Sequence, residues 1–401
     1  MTQKLKHHLI PTYYNEFKCI GGSCEDTCCG GWRIDIDKKS FKSYKNERSS
    51  AIKNDLQKSI LRNKKQDAIE ANYGYFKLDE ENKCSMLTEE GLCGVQKELG
   101  EQALCNTCKI YPRLIHEVNS VVEKSLTLSC PEAARVMLNR PNGIDFVEEE
   151  AIESIKPNQK IMHTPEENEI FWKIRIFMID TLQNRNYSLE TRLLLISMFI
   201  QKYSELEQIN TSNVDTLISR YSNYLKDNSL EKAFSNIKVL HSTQLLFALP
   251  LLNYETTSSR YNNLVQAIKE SFEIKDNSLS EESVNIYKET LNKHYKNFSD
   301  TYGYILENYL VNSIYEQIKM PDNKYLLDKF TSICVNFTLI RLFILGYGKS
   351  QGEFNLDLVL YCIQSFSKKL VHNSEYKTQI STILQKDTSS ILSQITSFIH
   401  I

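Results

Sequence analysis

Apolar residues recur at helical spacing through most of the chain after Pro141. They fall three or four positions apart, as at Ile170 and Ile174, which places them on one face of a helix. Ser188 is well placed as an N-cap residue for one of these helices, because a serine hydroxyl accepts a hydrogen bond from a free N–H group of the first turn. The pattern predicts a series of amphipathic helices and an all-α domain over residues 165–401.

The pattern before Pro141 is different, since short apolar–polar alternations replace the helical spacing. Trp32–Asp37 and Tyr73–Leu78 each predict a short strand, and Leu126–Cys130 predicts a third, with Pro131 opening a helix after it. Eight of the 13 glycines also lie in this part, which favours loops. We therefore expect residues 1–140 to form a cysteine-rich metal-binding domain with little strand.

Prolines and an acidic stretch separate these two patterns. Pro141 and Pro157 flank the acidic residues, and Pro165 precedes the first long helical pattern. This arrangement predicts a linker over residues 141–164. Taken together, the fold class is expected to be mainly α.

Charge and hydropathy limit the partners of the chain. The net charge is −2, and the composition of 41% apolar and 24% charged residues is that of a soluble globular protein. Neither a nucleic acid nor a membrane is therefore expected as a partner. The start lacks the apolar region of a signal peptide, and the most apolar window, Ile333–Leu345, is too short to span a bilayer. We expect a cytoplasmic protein, and the oligomeric state stays open.

Nine of the eleven cysteines lie within one third of the chain. In a reducing compartment, clustered cysteines favour metal binding over disulfides, and thiolates are ligands of zinc and of iron–sulfur clusters. Cys334 and Cys362 lie apart in apolar helical patterns, where we expect buried, inert thiols. The predicted metal ligands are Cys19, Cys24, Cys28, Cys29, Cys84, Cys93, Cys105, Cys108 and Cys130.

The spacing of these cysteines leaves the metal open. Cys105 and Cys108 form the one C-x-x-C pair, whereas zinc sites normally have two such pairs, and the other intervals do not match ferredoxins. Cys28 and Cys29 are adjacent, and adjacent side chains usually diverge. The doublet therefore indicates either two neighbouring sites or one ligand beside a packed thiol.

Five segments carry a recognisable family pattern. They are Phe17-Lys18-Cys19, Cys24-Glu-Asp-Thr-Cys28-Cys29-Gly-Gly-Trp32, Cys84-Ser-Met-Leu-Thr-Glu-Glu-Gly-Leu-Cys93, Leu104-Cys105-Asn-Thr-Cys108-Lys-Ile-Tyr-Pro112-Arg113 and Leu126-Thr-Leu-Ser-Cys130-Pro-Glu-Ala-Ala-Arg135. Together they resemble the flagellin lysine-N-methylase (FliB) family, within a wider group of CxxxCxxCC domains described as zinc- or iron-chelating. A fainter match covers residues 363–373.

This resemblance implies a protein lysine N-methyltransferase acting on flagellin as its protein substrate. It further implies S-adenosylmethionine as the methyl donor and an iron–sulfur cluster, expected as 4Fe–4S, with zinc as the alternative metal. The sequence has no strand–Gly-x-Gly–helix fingerprint, so an ordinary Rossmann-type donor site is not expected. Coordination of the donor by an open iron of the cluster is one hypothesis.

Methyl transfer to lysine requires a neutral amine, and free lysine has a pKa of about 10.4. The enzyme must deprotonate or desolvate that amine. Three carboxylates lie close to cysteines in the sequence and are the catalytic candidates: Glu25, Asp26 and Glu132. Loop capping or solvation is the alternative role for each of them.

Trp32, Tyr111 and Arg113 are the candidates for cofactor binding. The two aromatic rings could form a wall for a methyl-lysine or sulfonium cation, or they could shield the metal site from water. His116 and His372 are candidates for proton transfer, with a hydrogen-bonded structural histidine as the alternative. Two other functions stay open, namely a non-enzymatic zinc- or iron-binding interaction module and an iron–sulfur electron-transfer protein.

Overall fold

Helices dominate the structure, a computed structural model, and confirm the mainly α fold class. It describes residues 5–65, 68–152, 155–226, 230, 234, 241–253, 256, 258–275, 278–371, 373, 375–376, 378, 382, 395–396 and 398–399. The helices of the first 140 residues are α1 (Lys38–Asn46), α2 (Lys53–Ser59), α3 (Gly94–Leu99), α4 (Asn106–Ile110) and α5 (Pro131–Leu138). The later helices are α6 (Pro165–Gln183), α7 (Leu189–Ser204), α8 (Thr211–Tyr224), α9 (His241–Leu252), α10 (Ser259–Ser271), α11 (Glu281–Thr290), α12 (Lys296–Gln317), α13 (Asn323–Gln351) and α14 (Leu356–Phe366).

Capping residues explain where the first long helices begin. Thr164 and Glu167 form a capping box at the start of α6, with Pro165 in the first turn. The Ser188 side chain accepts a hydrogen bond from Thr191 N at the start of α7, which confirms the predicted N-cap. At its far end α13 stops at Gly352, whose φ of +72° suits glycine.

The strands form two small sheets. Their bounds are β1 (Leu5–Pro11), β2 (Asp35–Ile36), β3 (Ile60–Arg62), β4 (Gly74–Phe76), β5 (Arg113–Val118), β6 (Val121–Leu126), β7 (Phe146–Ile152) and β8 (Gln159–Ile161). A five-stranded sheet has the order β7-β1-β6-β5-β8, and a three-stranded sheet has the order β2-β4-β3. Residues 141–164, expected to be a linker, therefore supply two strands. The strand predicted over Leu126–Cys130 is misplaced, because β6 ends at Leu126.

Buried side chains form a large core and a separate small one. The large core joins the helices to the N-terminal arm through residues such as Tyr13 and to the end of β6 through Leu126. The small core lies between Ile34 and Cys105, with Cys29 and Cys108 packed against it. We call this region, residues 29–108, the small lobe.

A buried ion cluster ties the five-stranded sheet to the helices. Glu123 on β6 accepts hydrogen bonds from Arg175 on α6, at 2.6 and 3.0 Å, and from Lys319 just after α12. All three side chains are no more than 3% exposed. Charged groups this deeply buried require such partners, so the cluster fixes how the sheet meets the helices.

Helix α13 is the central element of the large core. By length and composition alone it could cross a membrane, yet 89% of its most apolar stretch is buried inside the protein. A helix that is apolar on all sides and covered by neighbours is a core helix. Its packing against α7, α10 and α14 supports that role.

Candidate functional site

The loop that carries Cys28 and Cys29 lies directly against the backbone beside Cys84. Cys84 N donates a hydrogen bond to Cys29 O over 2.6 Å, and Gly31 N donates to Asn82 O over 2.8 Å. Gly31 has a φ of +82°, a conformation that glycine adopts without a steric penalty. The glycine thus lets the doublet loop turn and pair with the loop that bears Cys84.

Helix ends position three further cysteines. Cys105 is the N-cap residue of α4, which contains Cys108. The hydrogen bond between their side chains lowers the pKa of Cys105, against the opposing effect of burial. Cys130 directly precedes Pro131, which opens α5 as predicted.

Eight of the nine predicted ligands lie close enough for the charge of one thiol to affect the pKa of at least one other. They are Cys24, Cys28, Cys29, Cys84, Cys93, Cys105, Cys108 and Cys130. Burial, with neighbouring thiols as a further cause, raises the pKa of Cys84 and of Cys130 to about 12 each. Thiols in such surroundings require a nearby positive charge to ionise, and a bound metal supplies one.

These thiols fall into two groups that meet at Cys28. Cys28, Cys29, Cys84, Cys93, Cys105 and Cys108 form what we call the inner group. Cys24 and Cys130 interact with each other and with Cys28. Within the described ranges, no set of three or more His, Cys, Asp or Glu side chains is arranged to hold a metal ion.

Two predictions about the cysteines can be compared with the structure, one on the adjacent pair and one on the two isolated thiols. The neighbouring Cys29 thiol, together with burial, raises the pKa of Cys28, so the two side chains interact although adjacent side chains usually diverge. Cys334 and Cys362 are fully buried in the helical core, as predicted. Cys19 is exposed, and no described thiol contact joins it to the other eight.

The three carboxylate candidates all form ion pairs. Asp26 accepts hydrogen bonds from Lys368 Nζ over 2.6 Å and from Gln364 Nε2 over 2.7 Å. Glu25 lies 2.8 Å from an Arg135 guanidinium nitrogen, and Glu132 pairs with the same arginine. The contacts of Asp26 and Glu25 hold the loop before Cys28 against neighbouring helical segments, whereas the Glu132 pair lies within α5. Neither is the loop capping or solvation considered as the alternative role.

The aromatic candidates lie together beside the cysteines. The rings of Trp32 and Tyr111 stack with centroids 6.0 Å apart, and Trp32 Nε1 donates to Cys28 O over 2.9 Å. Trp32 is 38% exposed, so one side of this pair faces solvent. Arg113 lies apart from the pair, with its guanidinium 5.2 Å from the centre of the Phe17 ring.

Comparison with known protein families gives a match over the helical part of the chain. The family model described as the FliB lysine N-methylase C-terminal domain matches residues 175–397, more than half of the chain. The chain belongs to the FliB lysine N-methylase family. No solved structure matches it.

Curated relatives of the FliB family match the remaining sequence as well. A lysine-N-methylase of Salmonella choleraesuis is 24% identical over 405 residues, which cover 96% of this chain and 98% of the relative. A lysine-N-methylase of Salmonella typhimurium matches with the same identity and coverage. The flagellar biosynthetic protein FliU of Salmonella muenchen is 36% identical over 142 residues, 35% of this chain and 82% of that protein.

The FliB C-terminal domain also contributes residues to the cysteine site, and sequence reasoning did not single them out. Gln364 Nε2 donates to Ser129 O over 3.0 Å as well as to Asp26. Lys368 Nζ donates to Thr27 O over 2.9 Å. Both residues fall in the segment 363–373, whose family resemblance was the available signal. We call these contacts the brace.

Lys369 approaches the same loop from the helical side. Its Nζ lies 3.5 Å from the position that a Cβ on Gly31 would occupy. Burial and the neighbouring Lys368 charge lower its pKa. The site therefore combines thiols from the small lobe with amines from the C-terminal domain.

His116, one of the two histidine candidates, does not join this group of residues. His116 lies on β5, where burial and the Lys319 charge lower its pKa to about 4. His116 is thus a neighbour of the buried ion cluster. His372 lies outside the described residues.

Proposed function

We propose that the protein is a cytoplasmic lysine N-methyltransferase that transfers a methyl group from S-adenosylmethionine to lysine ε-amines of flagellin. The observation that carries the proposal is the brace, which joins the matched FliB C-terminal domain to the cysteine loop. Two relatives that span nearly the whole chain are named lysine-N-methylases, and a third is named a flagellar biosynthetic protein. These names support the reaction and the flagellar substrate class.

The thiols at this site are suitable ligands for an iron–sulfur cluster. The inner group supplies six thiols, of which Cys84 and Cys105 are buried in the core of the small lobe. A cluster distributes its thiolates over several irons, so it does not require three thiols around one ion. We propose that ligands from the inner group hold a 4Fe–4S cluster.

The chain's own residues fit the acceptor side of this reaction. A lysine amine must lose its proton before it attacks a methyl group, and desolvation lowers the pKa of an amine. The half-exposed Trp32, stacked on Tyr111, offers an apolar face for the methylene chain and a π face for the cation. We propose that this pair, directly beside Cys28, receives the substrate lysine.

A non-enzymatic metal module is the second candidate. Cys84 and Cys105 lie within an apolar core, which is typical of a structural metal site. In that function the metal would stabilise the small lobe, and the exposed aromatic pair would bind a partner protein.

Anaerobic purification and metal analysis separate these candidates. We expect a brown protein with iron and inorganic sulfide in equal amounts, and Cys84→Ser should lose most of the iron. Cys334→Ser is the matched control, because it makes the same substitution at a thiol buried in the core helix α13, and its iron content should stay unchanged. Zinc without iron would support the structural module and refute the cluster.

Methyl transfer requires its own assay. Incubation of the reduced, anaerobic protein with flagellin and methyl-labelled S-adenosylmethionine should place label on lysine after acid hydrolysis. Absence of labelled lysine under these conditions would refute the proposed reaction. A reversible redox signal without transfer would favour an electron-transfer protein instead.

A further inference from the structure

A polar cavity of about 450 Å³ lies in the helical part of the protein, on the far side of the segment that leads to Cys130. Helices α12 and α13 form two of its walls. The residues after β6, beginning at Thr127, and the segment Ser367–Val371 close the others. No role has been assigned to this cavity so far.

The inner surface of the cavity is built from buried polar side chains. Tyr309, Asn312, Asn336 and Tyr376 line it and are each no more than 5% exposed. The Tyr376 hydroxyl donates to Asn336 Oδ1 over 2.5 Å and the Tyr13 hydroxyl donates to Asn312 Oδ1, so both asparagine amides are held in fixed positions. Amide and phenol groups so arranged offer both donors and acceptors to a ligand.

Ser367 supplies the observation that points to a ligand. It lines the cavity, is 3% exposed, and its Oγ has no hydrogen-bond partner within the described part of the chain. A buried hydroxyl without a partner is costly, because it has given up water without a replacement. A polar ligand in the cavity would provide that partner.

The mouth of the cavity carries charge of both signs. Glu316 and Lys329 are partly buried there, and Asp328 is exposed. Lys329 Nζ lies 5.5 Å from the centre of the Tyr325 ring, which also lines the mouth. A ligand with an amine, a carboxylate and a flat aromatic group would meet a suitable partner for each of them.

The volume of the cavity distinguishes between the two substrates of the proposed reaction, the substrate lysine and the methyl donor. A volume of about 450 Å³ falls within the usual range of cofactor sites. A lysine side chain is a single extended chain of four methylenes, and it would leave most of this space empty. A nucleoside with an amino-acid arm fills it better.

The cavity and the cysteine site share one wall. Thr127 and Leu128 line the cavity, and Cys130 follows two residues later in the same segment. On the opposite side Ser367 lines the cavity, and the next residue, Lys368, contacts Asp26 in the cysteine loop. A ligand in the cavity would therefore lie close to the proposed site of methyl transfer.

We propose that this cavity binds S-adenosylmethionine, with the adenosine among the buried tyrosines and asparagines and the amino-acid arm at the charged mouth. The inference rests on the proposed function, since it names the site of its methyl donor. Ser367 Oγ would donate to the bound nucleoside. The donor then occupies a helical cavity instead of a Rossmann-type site, in agreement with the absence of a glycine fingerprint.

Direct binding of S-adenosylhomocysteine, which has no methyl group to transfer, tests the site without activity. Isothermal titration of the anaerobically purified full chain should detect binding. Ser332→Phe fills the cavity from α13 and should weaken binding by about tenfold or more. Ser350→Phe is the matched control, because it makes the same substitution at an exposed position of α13 outside the cavity, and its affinity should equal that of the wild type.

A covalent label provides the second measurement and does not depend on how a variant folds. Ultraviolet cross-linking of labelled S-adenosylmethionine to the wild type should mark peptides from residues 309–336. A label confined to residues 19–32 would overturn the cavity and place the donor at the cysteines. Full affinity in Ser332→Phe, or no binding by the wild type, would also overturn it.

Different results would refute the proposed function and the proposed donor site. Methyl transfer to flagellin with unchanged donor binding in Ser332→Phe would leave the reaction standing and refute the cavity. Conversely, cross-linking to residues 309–336 without any methyl transfer would confirm the cavity as a nucleoside site and refute the reaction.

Discussion

Glu123→Gln should destabilise the folded protein strongly, because it removes the carboxylate that pairs directly with two buried cations. The Glu123 side chain is fully buried and accepts hydrogen bonds from both Arg175 and Lys319. Burial opposes its charge, but the two cations outweigh that effect and lower the pKa of Glu123 to about 2. An unfolded glutamate has a pKa of about 4.3, so the carboxylate contributes about 3 kcal/mol at neutral pH.

Breaking a buried ion pair typically costs 3–5 kcal/mol, which agrees with that figure. Urea unfolding at pH 7 should therefore show a loss of about 3–5 kcal/mol in Glu123→Gln. Glu90→Gln is the matched control, since its pair with Lys97 is exposed on both sides and should cost less than about 1 kcal/mol.

The pH dependence of this loss has a definite sign. Because the folded pKa of Glu123 is depressed, its contribution is complete above the unfolded pKa of about 4.3. It disappears as the pH falls through that value towards the folded pKa of about 2. The stability difference between wild type and Glu123→Gln should thus shrink from pH 7 to pH 3. A cost below about 1 kcal/mol at pH 7, or one that is equal at both pH values, would refute the reasoning.

Three further predictions concern the cysteine site. Asp26→Asn removes the charge that Lys368 contacts, which should weaken the brace by about 1–2 kcal/mol. Methyl transfer should then fall while the iron content stays constant. Unchanged transfer would contradict this prediction. Trp32→Ala should raise the KM for flagellin, and Trp32→Phe should keep a KM close to that of the wild type. Equal KM values for Trp32→Ala and the wild type in steady-state kinetics would contradict the role of the Trp32–Tyr111 pair. Gly74→Ala should destabilise the small lobe by about 1–3 kcal/mol, because its Cβ would lie 2.2 Å from the Phe41 ring, and an unchanged melting temperature would argue against that packing.

The helical half of the fold was predictable because its signals are local. The spacing of Ile170 and Ile174 within α6, and the N-cap Ser188 of α7, depend on residues within one or two turns. Such patterns persist in the structure because each helix places its apolar face into the common core.

The five-stranded sheet could not be predicted in the same way. Its strands β1 and β7 pair in register from Leu5 with Ile152 to Pro11 with Phe146, across more than a third of the chain. Strand β7 has exposed glutamates at Glu148–Glu150, so its acidic sequence resembles a linker. The pairing that makes it a strand is a tertiary contact, which leaves no local pattern.

Residue type alone predicted one part of the candidate site, whereas the other part could be recognised only in the structure. Thiol clustering predicted all nine cysteines as metal ligands, a set that includes the inner group, because cysteines this dense favour metal binding. The contacts of Asp26 with Gln364 and Lys368 could not be predicted, since the resemblance of segment 363–373 gave no partner and the residues lie more than 330 positions away in the chain.

The brace also has a consequence for how the site is assembled during synthesis. Lys368 lies 342 residues after Asp26, so the ribosome completes the cysteine loop long before the residue that holds it in place. At 5–20 residues per second this interval lasts roughly 17–70 s. During that time the thiols of the loop are not yet covered by the C-terminal segment, and the proposed iron and sulfide can reach them. Completion of the chain then closes the loop, which makes the C-terminal segment the last step in maturation of the site.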